Sequence, residues 1–524
     1  MDRSTVLNET AKYYAFERLW CRHVAFLSSA LMAEKSNTFL EGEIQEDMKE
    51  ILPEEIIQIF SDPLGYSVLI RGSAGAGKTT LALTLVEYFE DDYEPIFIST
   101  RLSPESLKKQ FPKTKTIIKP ENIFDASQTF IPPFTHQDLN ALIENTLEFK
   151  SKKAFIKTVY EHIEKYDNPL IIIDSWEPLG DGINPNSHDR THFETTLIEL
   201  SRKLDIKIIF ISDDLKATYL QNIVDCVLHL EDKTLERRIL RTLTIEKIRN
   251  KARYHKCYPY SLLHREFQAF FPLSPYSRAE PQEFLLQEDK TPYYSTGIED
   301  LDKILHGGWP IHSFNLLEVD SEVPLEAFSP FVFATLCNFV KKERGSILYT
   351  LDGINSPLIN KESLMMQISA KGFQKNIRVL MDTLQRTEIR PYIVPLEKNQ
   401  FEDIFLKVYE DLSERTNHQP VFSAILYDSL EFLVDFPRAI EKLASHIKII
   451  RNCNIVELAI MSSSITQENN NLFKEFSQLA NTHFKLTAWQ GRILFYGIKP
   501  WTNIYSLHVD YNLGYPQVQL IPII

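Results

Sequence analysis

The segment between residues 72 and 79 has the residue types and the spacing of a phosphate-binding loop. It satisfies the pattern G-x-x-x-x-G-K-[ST], follows an apolar run over residues 66–70 and precedes a helical run that begins near Leu81. Glycines let backbone N–H groups curl around phosphate oxygens because no Cβ stands in the way, and the following helix presents its positive end to the anion. We therefore predict that this loop binds a nucleotide. The expected contacts are Gly72, Ser73, Ala74, Gly75, Ala76, Gly77, Lys78, Thr79 and Thr80.

Three side chains have the chemistry to act on a bound nucleotide and its metal ion. Lys78 is placed to reach the β- and γ-phosphates, and the hydroxyl of Thr79 is placed to bind Mg²⁺. Asp174 ends the apolar run 170–174, where a carboxylate can hold the same Mg²⁺ through water. An Asp after a buried strand is also a common helix N-cap, so this alternative stays open for Asp174.

The elements around these residues alternate between strand-like and helical runs from residue 51 to residue 270. Such alternation predicts an α/β fold with a mostly parallel sheet covered by helices on both faces. The predicted strands are 68–71, 95–100, 116–118, 170–174, 206–212 and 226–230.

The pattern then repeats along the chain. The run 171–177 corresponds to the run 425–431, because both are apolar strands that end in Asp-Ser. Two tandem copies of one fold explain the length of 524 residues better than one large domain. The predicted units are an N-terminal helical extension (1–50), a first domain (51–270), a proline-rich linker (271–294) and a second domain (295–524).

Composition limits the functional classes. A formal net charge of −14 argues against indiscriminate coating of DNA, although a local basic site remains possible. The 5 cysteines form no C-x-x-C pair, which fits a reducing compartment, and we expect a cytoplasmic protein. The apolar run 24–32 is too short to span a bilayer, which takes about 20 residues, so no integral membrane segment is expected. It remains open whether this run packs on the first domain or binds a membrane surface or a partner.

Residues 295–310 resemble the T-G-x-x-x-L-D-x-x-L-x-G-G entrance motif of RecA-superfamily ATPases. The segments 97–105 and 123–127 are similar to GvpD-type archaeal members. Over about residues 51–524 the chain resembles the KaiC/GvpD branch, which includes the RadA-related ATPases. This resemblance implies two RecA-like αβα cores, ATP rather than GTP as the ligand, and assembly of several copies into a ring or filament.

The resemblance also raises the question of a catalytic acid. RecA-like proteins place a glutamate just past the strand that follows the phosphate-loop helix, but here that strand ends Ser99-Thr100-Arg101. The remaining candidates are Glu105 and Glu177, which lie a few residues beyond Arg101 and Asp174. Since no carboxylate occupies the expected position, we predict slow ATP hydrolysis at most.

A late basic pair is the second feature that the resemblance singles out. In KaiC-like proteins a Lys-x-Arg pair reaches the nucleotide of the neighbouring subunit, and this chain has Lys247 and Arg249. Residues i and i+2 of a strand share one face, so both charges can enter the same interface. The alternative is an exposed basic edge that discourages strand aggregation.

The second copy has lost the phosphate-binding loop. Aligned by spacing, residues 319–326 take the place of residues 72–79. The lysine is gone, proline supplies no N–H, and acidic side chains stand where a phosphate would lie. We therefore predict that this copy does not bind ATP. The residues that replace Gly72, Gly77, Lys78 and Thr79 are Val319, Pro324, Leu325 and Glu326.

Three functions are compatible with these observations. The first is an ATP-dependent regulatory protein that couples binding and slow hydrolysis to assembly or to a protein partner. The second is a DNA-binding, recombinase-like module, for which the basic run 237–256 with its interleaved aromatic residues is the main argument. The third is a nucleotide-stabilised scaffold that never hydrolyses ATP.

Overall fold

The computed structural model describes most of the chain from residue 51 to the last residue. The described ranges are 51–126, 160–161, 163–178, 188–214, 219–273, 280–349, 365–382, 390–396, 400–427, 439–463 and 470–524. The predicted N-terminal extension (1–50) and the second Asp-Ser pair, Asp428-Ser429, lie outside these residues. We call the described residues up to 273 the first half and those from 280 onward the second half.

The first half is built on one sheet in the order β3-β2-β4-β5-β1-β6-β7-β8-β9. The strands from β3 to β6 in this order pair in parallel, and β6 to β9 are antiparallel. Their bounds are Tyr66–Gly72 (β1), Glu94–Ser99 (β2), Ile123–Asp125 (β3), Pro169–Asp174 (β4), Lys207–Ser212 (β5), Cys226–Leu235 (β6), Arg238–Ile248 (β7), Cys257–Ser261 (β8) and Gln268–Ala269 (β9).

Helices cover both faces of this sheet, because its central strands are apolar on both sides. One core cluster includes Leu81 and Leu85, and the cluster on the opposite face includes Phe193 and Leu197. The helix bounds are Glu54–Ser61 (α1), Lys78–Tyr88 (α2), Pro104–Gln110 (α3), Thr114–Ile117 (α4), His188–Lys203 (α5) and Tyr219–Ile223 (α6), with 3₁₀ turns at Pro120–Asn122 and Leu263–Arg265.

The second half repeats this architecture in the order β15-β14-β13-β16-β17-β12-β18-β19-β20-β21. The bounds are Ser313–Val319 (β12), Gly345–Tyr349 (β13), Ile377–Asp382 (β14), Ile393–Leu396 (β15), Val421–Leu426 (β16), Ile455–Ser462 (β17), Thr482–Trp489 (β18), Arg492–Lys499 (β19), Tyr505–Asp510 (β20) and Gln517–Pro522 (β21). A separate two-stranded sheet joins Tyr293–Tyr294 (β10) to Trp309–Pro310 (β11).

Apart from β15, the strand order of the second sheet matches that of the first, with β12 in the position of β1. The predicted fold class, two tandem RecA-like domains with mostly parallel sheets, is confirmed. The helices of the second half are Glu299–Ile304 (α7), Leu325–Lys341 (α8), Ala370–Asn376 (α9), Phe401–Arg415 (α10), Ala439–Asn452 (α11) and Asn470–Leu479 (α12).

One predicted strand is wrong. Residues 116–118 fall within and after the short helix α4, and the strand at this edge of the sheet is β3. The segment lies between Pro112 and Pro120, and its backbone N–H groups bond within a turn, from Thr116 to Lys113 (3.0 Å) and from Ile118 to Thr114 (3.2 Å). Thr114 closes that turn by donating its hydroxyl hydrogen to the carbonyl of Phe111.

The two halves pack against each other through the antiparallel strands at the end of each sheet. Arg238 donates to the carbonyl oxygens of Thr502 (2.7 Å) and Gly497 (2.6 Å). Its guanidinium also lies over the ring of Tyr496, 4.4 Å from the centroid. We call the shared apolar cluster at this contact the junction cluster. Its buried members are Leu240, Phe270, Leu494, Tyr496, Ile504 and Ile523.

The predicted linker (271–294) is partly structured where it is described. Phe284 is buried in the core of the second half and contacts Tyr515, with ring centroids 5.4 Å apart. The entrance motif follows, and its loop is held by Asp302, which accepts a hydrogen bond from the backbone N–H of Thr296 (2.8 Å).

Candidate nucleotide site

The loop 72–79 connects the carboxyl end of β1 to the first turn of α2, so the backbone N–H groups that begin the helix point toward the loop. Two of its glycines are required by their surroundings. A Cβ on Gly72 would lie 2.2 Å from the carbonyl oxygen of Leu230. Gly77 has a φ of +87°, and a Cβ there would lie 2.7 Å from the side chain of Leu262. The tip from Ser73 to Gly75 is exposed to solvent, so the loop has a rigid base and an open tip, as a phosphate cradle requires.

Lys78 folds back over this loop. Its Nζ donates to the carbonyl oxygens of Gly72 (2.8 Å) and Ser73 (2.7 Å). The third contact is an ion pair with Asp213, whose Oδ1 lies 2.6 Å away. The ammonium group is thus held at the mouth of the loop, and a carboxylate contacts it there.

Thr79 and Asp174 are brought together as predicted. The hydroxyl of Thr79 donates to Oδ2 of Asp174 at 2.7 Å. Burial raises the pKa of Asp174, while the hydrogen bond from Thr79 and the charge of Lys78 offset part of this effect. Two hard oxygen ligands side by side fit Mg²⁺, which binds through one or two protein oxygens together with phosphate and water. Among the described residues, no group of three or more His, Cys, Asp or Glu side chains forms a self-contained metal site.

The position of Asp174 is fixed from behind by the neighbouring strand β2. The backbone N–H of Thr100 donates to the carbonyl of Asp174 (2.8 Å), and the Thr100 hydroxyl accepts from the backbone N–H of Ser175 (2.8 Å). These bonds lock the ends of β2 and β4 together and leave the Asp174 carboxylate facing the loop.

The two predicted catalytic acids have different surroundings. Glu105 lies in the first turn of α3 and is exposed. Glu177 accepts hydrogen bonds through Oε1 from the hydroxyl of Ser212 and from the backbone N–H groups of Asp213 (2.9 Å) and Asp214 (3.3 Å). Glu177 therefore holds the loop after β5, and its other oxygen lies 3.5 Å from Arg101.

Two residues near the loop were missed by the sequence interpretation. Asp213, which follows β5, contacts both Lys78 and Arg101. Arg241 donates to the carbonyl of Gly75 (3.4 Å) and pairs with Asp232 (2.9 Å). Arg241 belongs to the basic run 237–256, and its place in that run was the available signal. Asp213 had no local signal beyond its place at the end of an apolar strand.

Residues 58–266, which contain the loop, Asp174 and Asp213, match the family model described as ATPase: KaiC. Protein GvpD2 of Halobacterium salinarum is 23% identical over 489 residues, which cover 89% of this chain and 95% of that protein. The chain is thus similar to GvpD proteins over most of its length, and its first half matches a KaiC-type ATPase domain of the RecA superfamily. Protein GvpD1 of the same organism is 25% identical over 309 residues, which cover 56% of this chain and 55% of that protein.

In this GvpD-like protein, Lys247 and Arg249 lie away from the loop of their own chain. Lys247 pairs in register with Val227, which pairs with Leu69 in the middle of β1, and the carbonyl of Arg249 accepts from Tyr66 at the amino end of β1 (2.7 Å). Both side chains donate to carbonyl oxygens at the end of α6, including Asn222 at 2.7 Å from the Lys247 amine. They stabilise that helix end within the chain. Their contact with the nucleotide of a neighbouring copy stays a prediction.

The turn 319–326 of the GvpD-like chain is closed on itself. The backbone N–H of Val323 donates to the carbonyl of Asp320 (2.9 Å), and the side chain of Val323 is buried in the core of the second half. The carboxylate of Asp320 pairs with Lys485 (3.2 Å). An apolar side chain and an internal ion pair thus stand where the first half has its open cradle.

The phosphate loop of this GvpD-like protein is also connected to the second half. The hydroxyl of Tyr260 on β8 donates to the carbonyl of Ala76 at 2.5 Å. Two residues further on, the backbone N–H of Leu262 donates to the carbonyl of Ile524 at 3.0 Å. The loop therefore contacts a strand that is itself bonded to the end of the second half.

None of the helices in the described ranges combines the length and the apolar character that are needed to cross a bilayer.

Proposed function

We propose that this protein is an ATP-dependent regulatory protein that binds Mg-ATP in the first half and couples slow hydrolysis to assembly or to a protein partner. The observation that carries the proposal is the convergence of Lys78, Thr79 and Asp174 on one open loop. These groups meet the needs of a triphosphate and its cation, because Lys78 can bind the β- and γ-phosphates and the two oxygens can hold Mg²⁺. The bound Mg²⁺ would neutralise the charge that develops between these phosphates.

The coupling part of the proposal is supported by the contacts around Tyr260 and Leu262. A phosphate that enters the loop must be accommodated by its backbone, and Ala76 and Gly77 touch these two residues directly. Leu262 is bonded to Ile524, so a shift of the loop can change the fit between the halves. Regulation by a nucleotide requires that one state of such a contact bind the ligand better than the other.

The first test measures binding. Wild-type protein should bind Mg-ATP, and Lys78→Ala should weaken binding at least ~100-fold, which corresponds to about 2.7 kcal/mol. Isothermal titration calorimetry of both proteins measures this difference. The matched control is Lys303→Ala in the second half, whose amine contacts only neighbouring acidic residues of its own helix and which should bind as wild type does. Equal affinity in wild type and Lys78→Ala would remove the basis of the proposal.

The second test measures assembly. Multi-angle light scattering with and without Mg-ATP should show a change of molar mass for wild type and no change for Lys78→Ala. If the mass of wild type is the same in both conditions, assembly is not the response. The search then moves to a protein partner whose binding depends on Mg-ATP.

DNA binding is less well supported as an alternative. Several side chains of the basic run 237–256 already have partners within the chain. Arg238 donates a hydrogen bond to the second half, and Arg241 donates to the loop 72–79 and forms an ion pair with Asp232. Lys251 pairs with Asp62 in the same way. Side chains held by internal partners are poorly placed to release counterions from a DNA backbone. Salt-dependent binding of DNA that strengthens with ATP would favour this alternative.

A further inference from the structure

Asp213 stands at the carboxyl end of β5, between the loop strand β1 and the strand β4 that ends in Asp174. In this sheet order its side chain faces the mouth of the phosphate loop. Oδ1 lies 2.6 Å from the amine of Lys78, and the other oxygen contacts the guanidinium of Arg101. Because Lys78 is the residue expected to touch the β- and γ-phosphates, a carboxylate this close to it lies beside the position of the γ-phosphate.

The other candidate acids are occupied elsewhere. Asp174 accepts from Thr79, and Glu177 accepts from the backbone of the loop after β5. Glu105 is exposed on α3. Of these four carboxylates, Asp213 is the one that contacts both cations at the mouth of the loop, Lys78 and Arg101.

A triphosphate must change the contacts of Asp213. Lys78 already donates to two carbonyl oxygens of the loop, so the γ-phosphate competes with Asp213 for the remaining side of the ammonium group. Two anions beside each other repel, and the carboxylate must withdraw. Arg101, whose side chain is 47% exposed, can retain Asp213 as it moves. A withdrawal of about 3 Å leaves room for one water molecule between the carboxylate and the phosphate.

We propose that Asp213 is the catalytic carboxylate that orients and deprotonates the attacking water, with Arg101 and Glu177 as its positioning residues. This inference rests on the proposed function, because it requires Mg-ATP in the loop 72–79. RecA-like proteins have their catalytic glutamate after the strand that corresponds to β2, where this chain has no carboxylate. In this chain, Asp213 at the end of β5 would take that role.

The reaction is an in-line displacement at the γ-phosphorus. The water oxygen forms a bond to the γ-phosphorus while the bond from this phosphorus to the β–γ bridging oxygen breaks. ADP leaves with the electron pair of the broken bond. One proton of the water passes to the carboxylate of Asp213 and then to solvent, and the second hydrogen stays on the inorganic phosphate. Before the nucleotide enters, burial would raise the pKa of Asp213, but the hydrogen bonds and charges of Lys78 and Arg101 outweigh this effect, so the pKa is lowered and the carboxylate is ionised.

The experiment compares Asp213→Asn with wild type and with the control Asp91→Asn, which changes an exposed carboxylate in the turn after α2, all as full-length chains. Single-turnover release of phosphate from bound ATP should fall at least ~100-fold in Asp213→Asn, within the range that general-base groups contribute, and should be unchanged in Asp91→Asn. Affinity for Mg-ATP, measured by calorimetry, should be equal or higher in Asp213→Asn, because a competing anion is removed from Lys78. Circular dichroism melting checks that each variant is folded.

Asp213→Glu gives a second readout. It keeps the charge but moves the carboxylate by one methylene, so it should retain part of the turnover that Asp213→Asn loses. Turnover at the wild-type rate in Asp213→Asn would overturn the inference, and so would a wild type that binds Mg-ATP but releases no phosphate. Both results leave the proposed binding function intact. Loss of the difference between wild type and Lys78→Ala would instead contradict the proposed function itself.

Discussion

The loop 72–79 and the turn 319–326 occupy the same place in two sheets of matching strand order, but the first is open and the second is closed. The first keeps its base rigid and its tip open, and Lys78 stands over it. The second fills the space with Val323 and pairs Asp320 with Lys485. The RecA-like fold therefore does not depend on an open glycine-rich loop, because the turn 319–326 connects a strand to a helix at the same place in the second sheet.

The helix after each segment shows the same contrast. In the second half, every residue of α8 from Ala327 to Val340 is buried, whereas α2 of the first half combines a buried core face with Lys78 and Thr79 at its start. The second half thus has packed residues in the place where the first half has the open loop of the proposed nucleotide site.

The largest effect is expected from Gly72→Ala. The added methyl group would meet the backbone of Leu230 at 2.2 Å, and backbone cannot move aside as a flexible side chain can. We expect a loss of about 3 kcal/mol or more in the free energy of unfolding, which chemical denaturation measures. The matched change in the second half is Val319→Ala, which only shortens a buried side chain and should cost about 1–2 kcal/mol. Equal losses would mean that the two positions are not under different constraints.

A smaller structural effect is expected from Arg238→Ala at the contact between the halves. Removing the guanidinium leaves the carbonyl oxygens of Gly497 and Thr502 without their donor and uncovers Tyr496. We expect a loss of about 2–3 kcal/mol. The neighbouring Arg237 is exposed, and Arg237→Ala should stay within about 0.5 kcal/mol of wild type. Thermal melting of both variants measures the losses. A melting temperature of Arg238→Ala equal to that of wild type would mean that this contact does not stabilise the chain.

The number of ATP molecules bound per chain tests the difference between the loop 72–79 and the turn 319–326. Saturating Mg-ATP should occupy one site per chain, because the turn 319–326 offers no lysine and no open glycine backbone. Equilibrium dialysis with labelled ATP counts the bound molecules. A value near two, retained in part by Lys78→Ala, would show that the second half binds nucleotide by another arrangement.

The smallest effect is expected from Thr79→Ala, which removes the hydroxyl that contacts Asp174 but leaves Lys78 in place. The Mg²⁺ concentration that gives half-maximal ATP binding should rise about 10-fold, equivalent to about 1.4 kcal/mol. The counterpart Glu326→Ala lies in the closed turn and should leave the Mg²⁺ requirement unchanged. A Mg²⁺ titration of ATP binding in both variants measures the difference.

The sequence was most informative where the chemistry is local. The loop 72–79 is read from eight consecutive residues, and the parallel sheet and the two tandem copies are predicted from alternation and repetition. Asp174 was found because it directly ends an apolar strand. In contrast, the contact of Lys78 with Asp213 depends on β5 lying between β4 and β1, which the residues around Asp213 do not indicate.

Three further features could be recognised only in the folded chain. Arg238 donates to backbone carbonyl oxygens of the second half. Every residue has a carbonyl, so the residue types of the acceptors do not reveal this contact in the sequence. The prediction of a strand at 116–118 was wrong because β-branched residues favoured it, while the chain there forms hydrogen bonds within a short helical turn, such as that from Ile118 to Thr114. Glu177 was identified as an acid near the site, but its use as a backbone acceptor was visible only in three dimensions.

The junction cluster has a practical consequence for work on either half alone. Expressing either half alone, with the boundary between residues 273 and 280, would expose its apolar side chains of this cluster to solvent. These side chains include Leu240 and Phe270 of the first half and Leu494 and Ile523 of the second half. Exposed apolar surfaces of this kind favour self-association. A separately expressed first half should therefore aggregate, and the second half is needed to cover this surface whether or not it binds a nucleotide.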